Sequence, residues 1–222
     1  MDLDLHLHTS FSPCSTLALE DLVQLFLAQG HDLATIADFG ITKSCGQLRE
    51  MLPNMVVICG VELKAEEGDF LVYSPDEAYL RSLPVEIGSV KNLRRNEQTA
   101  VIWAHPRVSQ RARSYEAPSL PEVQKVVPYI DGLELYNGTM LSLHKEGLLR
   151  HDYFHNLVRI IMDYGLAMTG GSDARDRDLA FKCITRVPDD IHDALSLVEA
   201  IKNRRVIPAY DHEYFGVVFS LT

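Results

Sequence analysis

The sequence predicts an α/β fold in which a parallel sheet curls into a closed barrel. About seven short apolar segments alternate, for the most part, with segments of helical periodicity, the order expected of parallel strands joined by crossover helices. Histidines and carboxylates stand at the carboxyl ends of these predicted strands, where barrel enzymes collect their functional side chains. The first strand also has a polar face, which a closed barrel would direct into its mouth.

Length and composition are those of a globular protein with a full core. The 222 residues, 46% of them hydrophobic, predict a single domain at residues 1–222 without linkers or repeats. Lysine and arginine number 21 against 31 acidic residues, and the net charge of −10 argues against nucleic acid as the main partner. Because no apolar run could span a bilayer and no export signal is evident, we expect a cytoplasmic protein without membrane attachment.

The cysteines do not indicate a thiol-based site. Cys14, Cys45, Cys59 and Cys183 show no paired Cys-x-x-Cys spacing. We therefore expect neither a structural zinc knuckle nor a disulfide framework, and we expect a reducing compartment.

The first predicted strand, residues 2–8, carries the clearest chemical signal. Three leucines alternate with acidic residues and then with His6 and His8, the period-2 pattern of a strand with two different faces. Two histidines on one face stand roughly 6.6 Å apart along the strand and could bind one metal ion. A surface strand with two solvated histidines is the alternative that the pair alone leaves open.

Apolar periodicity predicts the remaining elements. Further strands are predicted at residues 32–38, 56–62, 70–73, 100–104, 132–136 and 166–169. Helices are predicted at residues 19–30, 41–51, 76–83, 90–99 and 120–127, over a long stretch that ends at residue 163, and from residue 189 onward. Residues 108–118 lack periodicity and form a loop of a length usually reserved for function or disorder.

The polar residues at the strand ends share one chemistry. They are His8, Asp38, Glu62, His105, Glu134 and Asp173. A barrel would bring residues from separate strands together at one mouth. Imidazoles and carboxylates without paired thiols suit zinc, manganese or iron.

The motifs around these residues resemble those of the polymerase and histidinol phosphatase (PHP) domain family. In chain order they are Asp4-Leu5-His6-Leu7-His8-Thr9, Gly60-Val61-Glu62, Ala104-His105-Pro106, Leu133-Glu134-Leu135-Tyr136-Asn137 and Gly170-Gly171-Ser172-Asp173. The resemblance runs from about residue 2 to residue 208. It implies a distorted seven-stranded (β/α)7 TIM-like barrel that hydrolyses phosphate esters with up to three metal ions.

The resemblance implies a complete first metal site. Its ligands would be His6, His8, Glu62 and Asp173, all present in this sequence. Glu134 could orient one of the ligand histidines through a hydrogen bond.

A second metal site is implied with one substitution. Glu62 would bridge to a second ion that His105 also holds. Asp69 stands where many family members have another histidine for that ion. The alternative for His105 is a core histidine packed beside Trp103.

Three departures from the family pattern fall on the third metal site. The usual ligand positions read Ser12-Pro13-Cys14, Asp38-Phe39 and Asp173-Ala174-Arg175. A phenylalanine does not ligate, and an arginine brings a permanent positive charge to the place of a cation. Cys14 could be a soft ligand, but we expect a buried, inert thiol.

One hypothesis connects these departures. Arg175, together with Arg107, Arg111 or Arg113 from the long loop, would give substrate phosphate the positive charge that a third ion supplies elsewhere in the family. Guanidinium groups match phosphate geometry bidentately. The alternative for Arg111 and Arg113 is solvated surface charge.

The sequence leaves three hypotheses for function. The first is hydrolysis of a small phosphomonoester or nucleotide by a metal-activated water, with one or two divalent ions (Zn, Mn or Fe) per chain. The second is a domain that has lost catalysis and acts as a metal- or ligand-binding regulatory module. The third is a metal-dependent amidohydrolase, although no lysine stands convincingly at a strand end to serve as its usual carboxylated ligand. The oligomeric state stays open.

Overall fold

The computed structural model describes residues 1–108 and 115–217, which form an α/β fold around a curled, six-stranded half-barrel sheet. The strands are β1 (Asp2–Leu3), β2 (Leu33–Phe39), β3 (Val56–Ala65), β4 (Gly68–Tyr73), β5 (Ala100–Ala104), β6 (Gly132–Asn137), β7 (Ala167–Gly171), β8 (Cys183–Arg186) and β9 (Ile207–Tyr210). The helices are α1 (Leu19–Gln29), α2 (Lys43–Met51), α3 (Glu77–Ser82), α4 (Leu120–Val126), α5 (Gly138–Lys145), α6 (Tyr153–Tyr164), α7 (Ala194–Lys202) and α8 (His212–Phe215). Strands β2 to β7 pair in chain order, and β1, β8 and β9 form a second, smaller sheet.

The large sheet is not fully parallel, so the prediction of a parallel sheet is wrong at β4. This strand runs antiparallel to both β3 and β5, whereas the other neighbours in the sheet are parallel. Two residues, Glu66 and Glu67, separate β3 from β4. Such a short connection closes a hairpin, because a parallel crossover needs a dozen or more residues.

The first predicted strand is interrupted after Leu3. The backbone bends because the buried carboxylate of Asp4 accepts hydrogen bonds from the backbone N–H groups of His6, Ser172 and Phe181, at 3.2, 2.8 and 3.0 Å. Beyond this bend the segment lies between β2 and the end of β7. The N–H of Ala37 donates to the carbonyl of Leu7 at 2.9 Å on one side.

On the other side of this segment, hydrogen bonds link it to the residues that follow β7. The N–H of Asp173 donates to the carbonyl of His6 at 2.6 Å, and the N–H of His8 donates to the carbonyl of Ala174 at 3.1 Å. These contacts place both histidines of the first strand beside the end of β7.

Alternation along β3 directs its residues into two hydrophobic clusters. Val57, Cys59 and Val61 pack in the cluster beneath the outer helices, while Ile58 belongs to the second cluster, which also contains residues of α7. Because side chains alternate along a strand, Glu62 shares the face of Ile58. Strand β3 therefore places the carboxylate of Glu62 on the side of the sheet that faces the second hydrophobic cluster, which includes residues of α7.

Several elements differ from prediction for local reasons. Strands β8 and β9 were not predicted, since each has four residues and Pro208 falls within β9, which is an edge strand. The predicted helix at residues 90–99 is wrong, because only a short 3₁₀ turn forms at Val90–Asn92. The long helical stretch ending at residue 163 is two helices, α5 and α6, and Gly147 between them has a left-handed φ of 72°.

Two cysteines form a disulfide that the sequence did not predict. Cys45 on α2 and Cys59 on β3 are bonded, with Cα atoms 6.1 Å apart, because α2 packs against β3. The sequence predicted no disulfide framework, and this one pair departs from that prediction. None of the described helices is both long enough and apolar enough to cross a bilayer. The assignment of residues 1–222 to one domain stays a prediction.

Candidate metal centre

Three imidazoles and two carboxylates from four parts of the chain converge at one end of the sheet. Nε2 of His8 lies 3.0 Å from Glu62 Oε2 and 3.4 Å from Asp173 Oδ1. Nε2 of His6 lies 3.4 and 3.6 Å from the same two oxygens. Nε2 of His105 lies 3.4 Å from Glu62 Oε1 and 3.8 Å from Asp173 Oδ2. The structure thus brings together the ligands that the resemblance implies for the first ion, with His105 beside them.

The atoms that face one another in this cluster are buried and have no hydrogen-bond partner among the described residues. They are the Nε2 atoms of His6, His8 and His105 and both carboxylate oxygens of Glu62. An unsatisfied buried polar group costs about 1–3 kcal/mol, and more when it is charged. A divalent cation would satisfy all of these atoms, and imidazole nitrogen with carboxylate oxygen is a donor set suited to it.

The imidazole of His6 is oriented by its other nitrogen. Its Nδ1 lies 3.0 Å from Glu134 Oε1, so a neutral ring that donates from Nδ1 keeps the lone pair of Nε2 directed into the cluster. The second oxygen of Glu134 accepts from the backbone N–H of His105 at 2.9 Å and from Nδ2 of Asn137 at 3.0 Å. Glu134 therefore positions two candidate ligands at once.

A short chain of hydrogen bonds orients His8. Its Nδ1 lies 3.2 Å from Oγ of Ser12, and this hydroxyl donates to Asp38 Oδ1 at 2.6 Å. Thr9 donates to Asp38 from its N–H and its hydroxyl, both at 2.7 Å, and Ser44 donates from its hydroxyl at 2.6 Å. Asp38 stands at a strand end as predicted, but four donors saturate its oxygens, so it supports the loop after His8.

Asp173 lies in a left-handed turn with a φ of 53°. Its Oδ2 accepts a hydrogen bond from the hydroxyl of Thr139 at 2.8 Å, and Nη2 of Arg175 lies 3.3 Å from its Oδ1. Thr139 is a supporting residue that the sequence analysis missed, because the contact depends on how the start of α5 packs beside the turn after β7.

Gly171 lets β7 approach the first strand closely. A Cβ atom there would lie 2.3 Å from Cβ of His6, 2.7 Å from its backbone N and 2.9 Å from Glu134 Oε1. The glycine pair before Asp173 was a sequence signal for this approach, although the partner was not evident.

His105 and Asp69 extend the cluster toward a second ion. The ring of His105 stacks on His6 with centroids 5.3 Å apart, while Trp103 stacks on Phe70 instead. Ligand atoms of Glu62, Asp69 and His105 all lie within 4.8 Å of one another. Burial, reinforced by the charge of Glu62, raises the pKa of Asp69. The three residues form a geometric group for a second ion.

Opposite charges hold protons on the histidines of the metal-free cluster. Burial lowers the pKa of His6, but the negative charges of Glu134, Glu62 and Asp173 outweigh burial and raise it well above its usual value. Burial also lowers the pKa of His105, but the nearby carboxylates of Glu62 and Asp173 outweigh it and bring that pKa to about 9. Burial raises the pKa of Glu62, yet His6 and His105 hold it well below its usual range. A bound cation would replace these protons.

Phe39, at a position where many PHP proteins have a ligand for a third metal ion, packs against the cluster. The ring of Phe39 stacks on His8 with centroids 4.7 Å apart and an angle of 17° between the planes. Cys14 has a free and exposed thiol, so the expectation of a buried cysteine is wrong. Cys14, in the loop after the first strand, lines the cavity beside the cluster and is not part of the core.

The centre opens into a cavity of about 770 Å³. Arg107 and Arg175 both lie on its wall, with His105 and Asp173 at its inner end. Arg107 has a positive φ of 61° and is paired with Glu122. Arg111 and Arg113 lie outside the described residues.

Comparisons with known proteins identify the fold. No family model matches the chain, and no curated protein matches its sequence. A two-domain protein from Bacteroides vulgatus containing a predicted PHP-like metal-dependent phosphoesterase superposes with a TM-score of 0.70 at 18% identity. The match covers 96% of this chain and 65% of that protein, so this chain spans less than two thirds of its length.

Two further solved structures show the same likeness. One is a proposed metal-dependent phosphoesterase from Bifidobacterium adolescentis, with a TM-score of 0.58 at 15% identity, covering 92% of this chain and 96% of the other. The second is an amidohydrolase from Chromobacterium violaceum with bound sulfate and no metal, with a TM-score of 0.59 at 12% identity, covering 96% and 100%. The chain therefore has the fold of PHP-like proteins, with a cluster of buried metal-ligating side chains at one end of its sheet.

Proposed function

We propose that this protein is a metal-dependent hydrolase of the PHP family that cleaves a small phosphate ester. The observation that carries the proposal is the set of buried imidazole nitrogens and carboxylate oxygens that face one another without hydrogen-bond partners among the described residues. The fold shared with PHP-like proteins supports it. When bound, a divalent ion supplies a Lewis acid that makes water a nucleophile at neutral pH.

His6, His8, Glu62 and Asp173 would hold the first ion. Glu62, Asp69 and His105 would hold a second, with Glu62 shared between the two. The mixed nitrogen and oxygen donors favour zinc, manganese or iron, one or two ions per chain.

Arg175 would bind substrate phosphate. One of its nitrogens is paired with Asp173, while its Nε is buried and has no partner among the described residues. The guanidinium therefore keeps donors for a phosphate at the inner end of the cavity, where fixed positive charge stabilises negative charge that develops during hydrolysis. Arg107 would assist from the cavity wall after exchanging Glu122 for substrate.

We also propose that residues 4–8 complete the barrel as its seventh strand. Their hydrogen bonds to Ala37 on one side and to residues 173–174 on the other support this arrangement. The same segment carries His6 and His8, so closure of the barrel and assembly of the centre would depend on the same contacts.

The second candidate function is a regulatory module that binds a metal or ligand without catalysis. The stacking of Phe39 on His8 and the pairing of Arg175 with Asp173 favour it, since both fill space beside the metal centre. A third hypothesis, amide hydrolysis, has support only in the similarity to an amidohydrolase fold.

Elemental analysis and turnover assays distinguish these functions. Protein purified without added metal is expected to carry one or two ions per chain and, with manganese or zinc, to hydrolyse members of a phosphomonoester panel. His6→Ala should lose bound metal and turnover together. His192→Ala is the matched control, because that ring is exposed on the surface. Bound metal without hydrolysis of phosphate esters or amides would support the second candidate, a regulatory module without catalysis. Three tightly held ions would contradict the proposal that Arg175 takes the place of a third ion.

A further inference from the structure

Lys64 is a cation on the cavity wall that the metal centre does not use. It follows Glu62 by two residues on β3, and its Nζ lies 4.8 Å from the centroid of the Phe39 ring. That ring stacks in turn on His8, whose Nε2 faces the ligand cluster. The ring of Phe39 therefore lies between the ammonium and His8, and Lys64 lines the same cavity as the metal centre.

The backbone at Lys64 is fixed although its side chain is exposed. Its N–H donates to the carbonyl of Val85 at 2.7 Å, and its carbonyl accepts from the N–H of Ile87 at 2.9 Å. Pairing on one side with β4 and on the other with this segment holds the Cα position. The face of Phe39 then limits where the ammonium can lie, because cations favour the face of an aromatic ring.

Lys64 differs from the two arginines on the described cavity wall in that its ammonium forms no close ion pair, although Asp69 lies opposite Lys64 where β3 pairs with β4. Arg107 is paired with Glu122, and Arg175 is paired with Asp173. In the described part of the chain, no carboxylate oxygen lies within 4.0 Å of Nζ of Lys64, although Glu66, Glu67, Asp69 and Glu86 border the same cavity. Metal ions would offset the negative charge of the ligand carboxylates, Asp69 among them, which would leave the ammonium available to an anion in the cavity.

We propose that Lys64 binds a second anionic group of the substrate, one that is separate from the phosphate bound at the metal centre. The inference rests on the proposed function and narrows it to phosphate esters that also carry a carboxylate or another phosphate. The ring of Phe39 sets the spacing, since it separates the ammonium from His8 and the ligands. Lys64 would thus determine substrate specificity without taking part in the hydrolytic step.

The test compares two phosphonates that a hydrolase cannot cleave and that differ in one charge. Binding of 3-phosphonopropionate and of propylphosphonate to the metal-loaded protein is measured by calorimetry at low salt. We expect the first compound to bind about fivefold more tightly, the effect of one partly solvated ion pair. In Lys64→Met the two compounds should bind equally, with the affinity for propylphosphonate unchanged.

Lys43→Met is the matched control, because Lys43 also lies over an aromatic ring, Phe11, at 6.0 Å from its centroid. It should preserve the difference between the two compounds. Thermal melting of each variant shows that it is folded. The inference is overturned if Lys64→Met keeps the preference, if the wild type shows none, or if neither compound binds. The proposed hydrolase activity is judged separately by turnover, so each idea can fail without the other.

Discussion

At the scale of single residues, the metal centre depends on side chains that are not ligands. Glu134 and Ser12 accept hydrogen bonds from the outward nitrogens of His6 and His8, which leaves the inward nitrogens free to bind a cation. The spacing of His6 and His8 on a strand made them candidate ligands, and the resemblance to the PHP family implied that role. Ser12 and Thr139 could not be assigned their roles, because each acts through a contact between distant parts of the chain.

Replacing Glu134 should weaken the metal centre without removing a ligand. In Glu134→Gln the residue keeps its shape but loses the charge that orients His6, so metal affinity should fall by about tenfold to a hundredfold. Calorimetric metal titration measures the change. Glu146→Gln, at an exposed residue, is the control and should bind metal like the wild type. Equal affinities in all three proteins would contradict the positioning role.

Metal binding should release protons. In the metal-free protein the neighbouring carboxylates outweigh burial and raise the pKa of His6 well above its usual value and that of His105 to about 9. Because imidazole binds metal in its neutral form, affinity should rise as the pH increases toward 9 and fall in acid. Calorimetry at pH 7 in two buffers of different ionisation enthalpy should show release of at least one proton per ion. A heat of binding independent of the buffer would exclude this coupling.

At the scale of elements, short connections and close approaches place the ligands. The hairpin between β3 and β4 sets Asp69 beside Lys64, two residues from Glu62, and the turn after β7 carries Asp173 to the first strand. The apolar runs at residues 56–62 and 70–73 correctly predicted β3 and β4, although both strands extend further toward the hairpin. Their antiparallel pairing followed from the two-residue connection, and the disulfide between Cys45 and Cys59 required the docking of α2, which periodicity does not encode.

Gly171→Ala tests the close approach of β7 to the first strand. The new Cβ would overlap the backbone of His6, so we expect a loss of about 1–3 kcal/mol in the free energy of unfolding and weaker metal binding. Chemical denaturation of the metal-free protein measures the first effect. Gly46→Ala is the control: no atom lies within 4 Å of the new Cβ, and in α2 it should stabilise by about 0.5–1 kcal/mol. An unchanged stability of Gly171→Ala would show that the strands can separate at no cost.

At the scale of the whole molecule, the metal centre joins distant parts of the chain. Its ligands come from the first strand, β3, and the ends of β5 and β7, and their buried polar atoms without hydrogen-bond partners among the described residues cost stability when no cation is present. Ligands that bind the folded state stabilise it by mass action. Metal should therefore hold the fold together as well as support hydrolysis.

Adding metal should raise the melting temperature. At a concentration of about one hundred times Kd, the gain of about 2.7 kcal/mol corresponds to a shift of roughly 5–10 °C for a chain of this size. Differential scanning calorimetry with and without a chelator measures it. His6→Ala should melt at the same temperature in both conditions, while His192→Ala should respond like the wild type. A shift that persists in His6→Ala would place the stabilising ion elsewhere.

The sequence by itself determined the α/β class and most strand positions, because periodicity is a local property, and its motifs pointed to the side chains that converge at the candidate metal centre. The motifs of the sequence contain all five side chains of the cluster: His6, His8, Glu62, His105 and Asp173. The tertiary structure decided what local pattern does not contain. It turned β4 antiparallel, paired two cysteines, exposed Cys14, and laid Phe39 between His8 and Lys64, since each of these depends on packing between segments far apart in the chain.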